Sequence, residues 1–129
     1  SSNWGKCKLL KTLMVAKNNI TGGIPPEIGN LTQLRALNLS SNYLSGEIPR
    51  AVAKLASMLK LDLHDNQLTG SIPQELGGLV EFLDLSTNSL SGNLPKLLGD
   101  LKHLFHDMNL SNNVKSEDST PNWEVNPTF

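Results

Sequence analysis

At 129 residues and 14.0 kDa, with 38% hydrophobic and 18% charged residues, the chain has the length of one domain and not of two. Only six residues are aromatic while 24 are leucine, so any core is aliphatic, and the lone Cys7 excludes an internal disulfide framework and a cysteine-based zinc site. The formal net charge of −1 lacks the basic excess that a nucleic-acid partner requires, and no run approaches the ~18 apolar residues of a membrane helix.

The opening Ser1-Ser2-Asn3 is polar and does not read as a signal peptide. From Leu10 onward the chain repeats itself. A shift of 24 residues superposes Leu10, Leu13, Val15, Asn18, Ile20, Gly22, Ile24 and Pro25 on Leu34, Leu37, Leu39, Asn42, Leu44, Gly46, Ile48 and Pro49. A second shift lands on Met58, Leu61, Leu63, Asn66, Leu68, Gly70, Ile72 and Pro73. The next step is 22 residues, to Leu83, Leu85, Asn88, Leu90, Gly92, Leu94 and Pro95, with two residues lost around Val80 and Glu81. A fifth copy starts with Leu98, Leu101 and Leu104 and then admits two registers: Met108, Leu110 and Asn113 fit a step of 25, Asn112 and Val114 a step of 24. Trp4 and Cys7 fall in the columns of Ile28 and Leu31, so the chain starts inside a repeat and Cys7 is expected to be a buried small hydrophobe.

In Leu37-Asn38-Leu39 and Leu61-Asp62-Leu63 apolar and polar residues alternate, the period of a strand with one buried face, so each copy is expected to supply one short strand. Connections of about twenty residues suit parallel stacking. Asn18, Asn42, Asn66 and Asn88 follow each strand, where an amide can satisfy backbone groups of its own turn and of the next coil. The glycines that follow permit positive φ, and the prolines hold an extended segment leading into an irregular or 3₁₀ return with Ile28, Val52, Leu76 and Leu98 facing inward. The solenoid so predicted spans residues 1–114; residues 115–129 leave the pattern as a tail whose Trp123 and Phe129 could cover an open end.

The wording of the copies, LRALNLSSNYLSGEIPRAVAKL from Leu34 and LDLSTNSLSGNLPKLLGDL from Leu83, is similar to the plant-specific class of leucine-rich repeat, L-x-x-L-x-x-L-x-L-S-x-N-x-L-S-G-x-I-P-x-x-L-G-x-L. With the opening Asn3-Trp4-Gly5-Lys6-Cys7, the chain resembles an internal segment of the ectodomain of a plant leucine-rich-repeat receptor-like kinase. It lacks the paired-cysteine cap of that family, and no phosphate loop, His-Arg-Asp or Asp-Phe-Gly of a kinase occurs. The resemblance implies an α/β-type repeat: a short right-handed solenoid with a parallel concave sheet and a mostly 3₁₀ or irregular convex side. It implies non-enzymatic recognition of a peptide or protein ligand, with a co-receptor, at the cell surface in signalling or immunity. A polygalacturonase-inhibitor-like defence protein and an ice-binding protein share this repeat and are the alternative readings.

The strand residues that do not face inward define the expected binding surface. Lys11, Arg35 and Lys60 occupy one part of it and Asp62, His64, Asp65, Asp84 and Thr87 the other, so a bipolar ligand is expected. This follows a wider asymmetry, because residues 1–60 carry a net +6 and residues 61–129 a net −7. Asp62 and Asp84 share a column, but an open sheet offers no enclosure to raise one pKa, which argues against an enzyme. Four Asn-x-Ser/Thr triplets occur, of which Asn19 and Asn30 are the expected glycosylation sites; Asn38 would place its glycan on the binding face. His103-x-x-His106 lacks a third strong ligand, so neither a metal nor a cofactor is expected. Open apolar ends at Trp4 and Leu104 predict end-to-end self-association.

Overall fold

The computed structural model describes residues 7–73, 76, 80–92 and 108–114. They form a stack of coils, one coil per repeat. The Leu-x-Leu segments give the strands β1 (Thr12–Met14), β3 (Ala36–Asn38), β5 (Lys60–Asp62), β7 (Phe82–Asp84) and β9 (Met108–Asn109). These pair in parallel in the order β1-β3-β5-β7-β9, with Leu13 beside Leu37, Leu37 beside Leu61 and Leu61 beside Leu83. The pairing of Leu83 with Met108 settles the ambiguous last step at 25 residues. The 22-residue step is localised too. Leu76 keeps the 24-residue spacing from Val52 while the buried Val80 stands 22 residues after Met58, so the shortening lies between Leu76 and Val80.

Each of the first four repeats supplies a second strand, which the repeat pattern did not predict. Strands β2 (Thr21–Gly22), β4 (Tyr43–Glu47), β6 (Gln67–Gly70) and β8 (Ser89–Leu90) form a four-stranded parallel sheet. Its register explains why it escaped notice. Gly22 pairs with Leu44, Gly46 with Leu68 and Gly70 with Leu90, so each coil is displaced by two residues from its sequence equivalent. An even displacement preserves which side chains face inward, so the leucine columns survive while the backbone partners change. Gly46, one residue before the end of β4, and Gly70, the last of β6, are both at φ +77°, in the left-handed region that glycine enters without penalty. The return path is 3₁₀ as expected, with helices Pro26–Asn30 and Arg50–Lys54 preceded by the extended Pro25 and Pro49. Ile28 and Val52 point inward from them, and the same turn recurs where the Leu76 amide donates to the Pro73 carbonyl at 3.1 Å.

The core is a ladder of aliphatic side chains, each rung packed between the rungs before and after it. Leu34, Leu39, Leu61, Leu63, Leu68, Leu83 and Leu85 are fully buried. Between rungs runs a polar ladder. Asn42 Nδ2 donates to the carbonyls of Leu39 and Ser40 in its own coil and of Val15 in the coil before, while Oδ1 accepts the amides of Asn18 and Ile20. Asn66, Asn88 and Asn113 repeat the arrangement. The bridge therefore runs to the preceding coil and not to the next, because the side chain leaves the turn toward the strand already laid down.

Cys7 corrects a second expectation. It is a free, exposed thiol. Its column is buried at Leu31 and Leu55, where coils pack on both sides, whereas the coil that follows Cys7 does not by itself cover it. Trp4, Leu98, Leu104, the His103/His106 pair and the tail lie outside the described residues. Among those described, no helix is long and apolar enough to cross a membrane.

Candidate functional site on the five-stranded face

The outward positions of the five-stranded sheet line up as the sequence columns require. Thr12, Ala36, Lys60 and Phe82 form one row and Met14, Asn38, Asp62, Asp84 and Asn109 another. Lys11 and Arg35 are exposed just before β1 and β3, and Lys60 is exposed at the start of β5. Asp62 and Asp84 close β5 and β7, with His64 two residues beyond. Charge thus changes sign along β5, from Lys60 to Asp62, as well as along the stack, where Lys11 and Arg35 precede β1 and β3 while Glu81 precedes β7 and Asp84 ends it. Asp65 and Thr87 are exposed and lie past the strands, at φ +58° and +55°, in a left-handed turn shared with Lys17, Ser41 and Asn112. Side chains other than glycine pay roughly 1 kcal/mol or more in that region. Here backbone bonds to the next coil fix the turn, Asp65 N to the Ser86 carbonyl and Thr87 N to the Ser111 carbonyl, both at 3.0 Å.

The row that contains the two aspartates has a structural duty. Asn38 Oδ1 accepts the amide and hydroxyl of Ser40, Asp84 Oδ1 those of Ser86, and Asn109 Oδ1 those of Ser111. One carboxylate oxygen of each aspartate is thereby committed to turning the chain. In the third coil histidine replaces serine, and Asp62 Oδ1 accepts the His64 amide at 3.1 Å and meets Nδ1 at 2.5 Å. Asp84 Oδ2 stands 3.7 Å from the same nitrogen. These are the ion pairs found among the described residues. Burial by itself would lower the His64 pKa, but the hydrogen bond with Asp62 and the charges of Asp62, Asp84 and Asp65 outweigh it and hold the imidazole above its ordinary value.

Between the basic and acidic groups lies an apolar depression of about 200 Å³, lined by Met14, Ala36, Leu37, Asn38, Lys60, Asp62 and Phe82. A second, lined by Arg35, Ala36, Leu59, Lys60, Glu81 and Phe82, shares three residues with it, so the two form one trough across the sheet. Met14 is 60% exposed, which is high for a methionine beside a core. Met14, Leu59 and Phe82 were not among the expected site residues, although each interrupts an otherwise small or polar outward column, a signal available in the sequence. Asn19 and Asn30 are both exposed, as glycosylation requires, whereas Asn38 is half-buried with its Oδ1 engaged by Ser40.

A family model described as leucine rich repeat matches residues 8–68, and a second model of the same description matches residues 80–101, together more than half of the chain. No curated protein matches the chain significantly. Among solved structures, the ectodomain of the receptor kinase SOBIR1 from Arabidopsis thaliana superposes with a TM-score of 0.81 at 30% identity, covering 88% of this chain and 61% of that one. The Arabidopsis receptor kinase HAESA, in complex with the peptide hormone IDA and the co-receptor SERK1, gives 0.77 at 39% identity over 92% of this chain and 20% of that one. The ectodomain of the plant membrane receptor kinase GASSHO1/SCHENGEN3 from Arabidopsis thaliana, in complex with CASPARIAN STRIP INTEGRITY FACTOR 2, gives 0.79 at 33% identity over 88% of this chain and 14% of that one. The chain thus spans between about a seventh and three fifths of the length of these structures. It belongs to the leucine-rich-repeat family, and its fold matches an internal segment of the ectodomains of plant leucine-rich-repeat receptor kinases.

Proposed function

We propose that the five-stranded face binds an extended peptide, or an extended segment of a protein, outside the plant cell. The supporting observation is the trough in which Lys60 and Asp62 of one strand flank apolar side chains of its neighbours, Met14, Ala36, Leu37 and Phe82. A ligand complementary to it presents an acidic group to Arg35 and Lys60, an aliphatic or aromatic side chain over Met14 and Phe82, and a hydrogen-bond donor toward the acidic corner. The peptide and co-receptor complexes of the similar HAESA and GASSHO1/SCHENGEN3 ectodomains support this reading. Five strands about 4.8 Å apart make a face only about 20 Å wide, enough for roughly six extended residues. So small a contact calls for a second partner, and a co-receptor of the kind named for HAESA fits that need. The role is binding without catalysis, since the trough is open to solvent and encloses no substrate. Glycans on Asn19 and Asn30 complete the extracellular reading.

A displayed library of random peptides, selected against the wild-type chain, tests the face. The selected peptides should lose at least about tenfold in affinity for Arg35→Glu/Lys60→Glu and for Phe82→Glu, a loss equal to about 1.4 kcal/mol. Arg50→Glu, on a 3₁₀ helix away from the sheet, should leave their affinity unchanged. Equal binding to all these folded variants would refute the site.

A further inference from the structure

His64 stands where the second, fourth and fifth coils place a serine. Ser40, Ser86 and Ser111 each donate a hydroxyl, at 2.6–2.8 Å, to the Asx side chain two residues earlier. The third coil reads Asp62-Leu63-His64, so a nitrogen that can ligate a metal takes the place of that hydroxyl. Strand pairing sets Asp84 directly beside Asp62. One donor atom each from Asp62, His64 and Asp84 then lies within 4.8 Å of the others.

The spacing brackets that of a coordination shell, with Asp62 Oδ1 nearer to His64 Nδ1, and Asp84 Oδ2 farther from it, than two ligands of one ion stand. Zinc bonds of ~2.0–2.2 Å in tetrahedral geometry separate ligand atoms by about 3.3 Å. Asp84 Oδ2, at 3.7 Å from His64 Nδ1, needs to move only a few tenths of an ångström, and Asp62 needs a rotation of its carboxylate. The sheet fixes the three backbones, and the bonds of Asp62 Oδ1 and Asp84 Oδ1 to the amides of His64 and Ser86 orient both carboxylates. Side-chain exposures of 35% for His64, 17% for Asp62 and 16% for Asp84 leave one open side for a further ligand. Charge matters as well. Asp62, Asp65 and Asp84 bring three negative charges to one imidazole, an excess that a dication offsets further than a single proton does. One imidazole nitrogen with two carboxylate oxygens suits zinc and its neighbours better than magnesium or calcium, which prefer oxygen alone.

We propose that Asp62, His64 and Asp84 form a binding site for a divalent transition-metal ion of the zinc class, with its remaining position open to water or to an acidic group of a bound ligand. The ion forms a bond to the Nδ1 lone pair, and any proton held there passes to solvent. The site stands whether or not the face binds a peptide.

Zinc titrated calorimetrically into the full chain, with cobalt absorption to report geometry, tests it. We expect one equivalent to bind with micromolar affinity. His64→Ser restores the wording of the other coils and therefore the fold, yet removes a ligand; Asp84→Asn keeps the oxygen that accepts from Ser86. Each should weaken binding by at least about 10–100-fold, the loss typical of removing even an outer-shell partner. The double variant His103→Gln/His106→Gln should bind as the wild type does. Should a His64 variant fail to fold, proton spectra of the wild type serve instead, because the chain holds three histidines and cobalt should displace the His64 ring signals first. No binding to the folded chain at millimolar zinc, full binding by His64→Ser, or loss of binding in the His103/His106 variant would overturn the proposal.

Discussion

The first coil and the second have nearly the same apolar pattern in different surroundings. Leu10, Leu13, Val15 and Ile20 are only partly buried, whereas their column mates Leu34, Leu37, Leu39 and Leu44 are 0–1% exposed. Asn18 is exposed and its side chain, among the described residues, donates only to the nearby Ala16 carbonyl, while the equivalent Asn42 is buried and ties two coils together with five hydrogen bonds. Cys7 and Leu31 differ in the same sense. A residue in this fold is therefore not intrinsically core or surface. It becomes core when neighbouring structure covers it, as it does for Leu37 and also for Met108 and Leu110 in the last described coil, so stability is largely a sum over neighbouring pairs of coils.

The largest effect that could break this comparison comes from the leucine columns. Leu61→Ala should cost about 2–5 kcal/mol, the range for a fully buried leucine, because coils on both sides must close the cavity. Leu13→Ala, the same column in the first coil, should cost less than half as much. Equilibrium denaturation by urea measures both, and equal losses would show that the first coil is as fully packed as the second.

The asparagine ladder gives the next effect. Asn42→Ala strands the carbonyls of Val15 and Leu39 and the amides of Asn18 and Ile20, and should cost about 2–3 kcal/mol. Asn18→Ala should cost less than about 1 kcal/mol, since water replaces its single exposed bond. Amide hydrogen exchange sharpens the contrast: the Ile20 amide should lose protection in Asn42→Ala and keep it in Asn18→Ala.

How much of this could be read from the sequence depended on whether a feature repeats at the period. The inward leucines, the strand Leu-x-Leu and the proline before each 3₁₀ turn recur with the repeat, and among the described residues they stand where their columns placed them. The second sheet was not legible because its partners are offset by two residues from their sequence equivalents, so columns do not name them. The direction of the asparagine bridge is invisible for a related reason: Asn42 stands equally far in sequence from the coils before and after it, and only the path of its side chain decides. The candidate site was half legible. Its charged residues interrupt the columns as Lys60, Asp62 and Asp84, but that one oxygen of each aspartate belongs to the turn required seeing Ser86 and His64 beside them.

The smallest effect isolates the third coil from the first, because the residue in the His64 column is Ala16 in the first coil and cannot titrate. The folded chain holds the His64 proton more tightly than the unfolded chain, whose imidazole keeps the ordinary value of 6.5. The resulting stabilisation is fully present below that unfolded value and is lost as pH rises through the folded one. With metal removed by chelator, the stability difference between wild type and His64→Ser should therefore favour the wild type more in mild acid than in mild base. The imidazole is partly solvated, with its side chain 35% exposed, so the change should stay under about 1 kcal/mol. A difference that does not vary with pH would mean that His64 and the two aspartates do not share a proton in solution. The acidic corner would then be an array of turn-forming side chains in the third coil, as Asn38 and Ser40 are in the second.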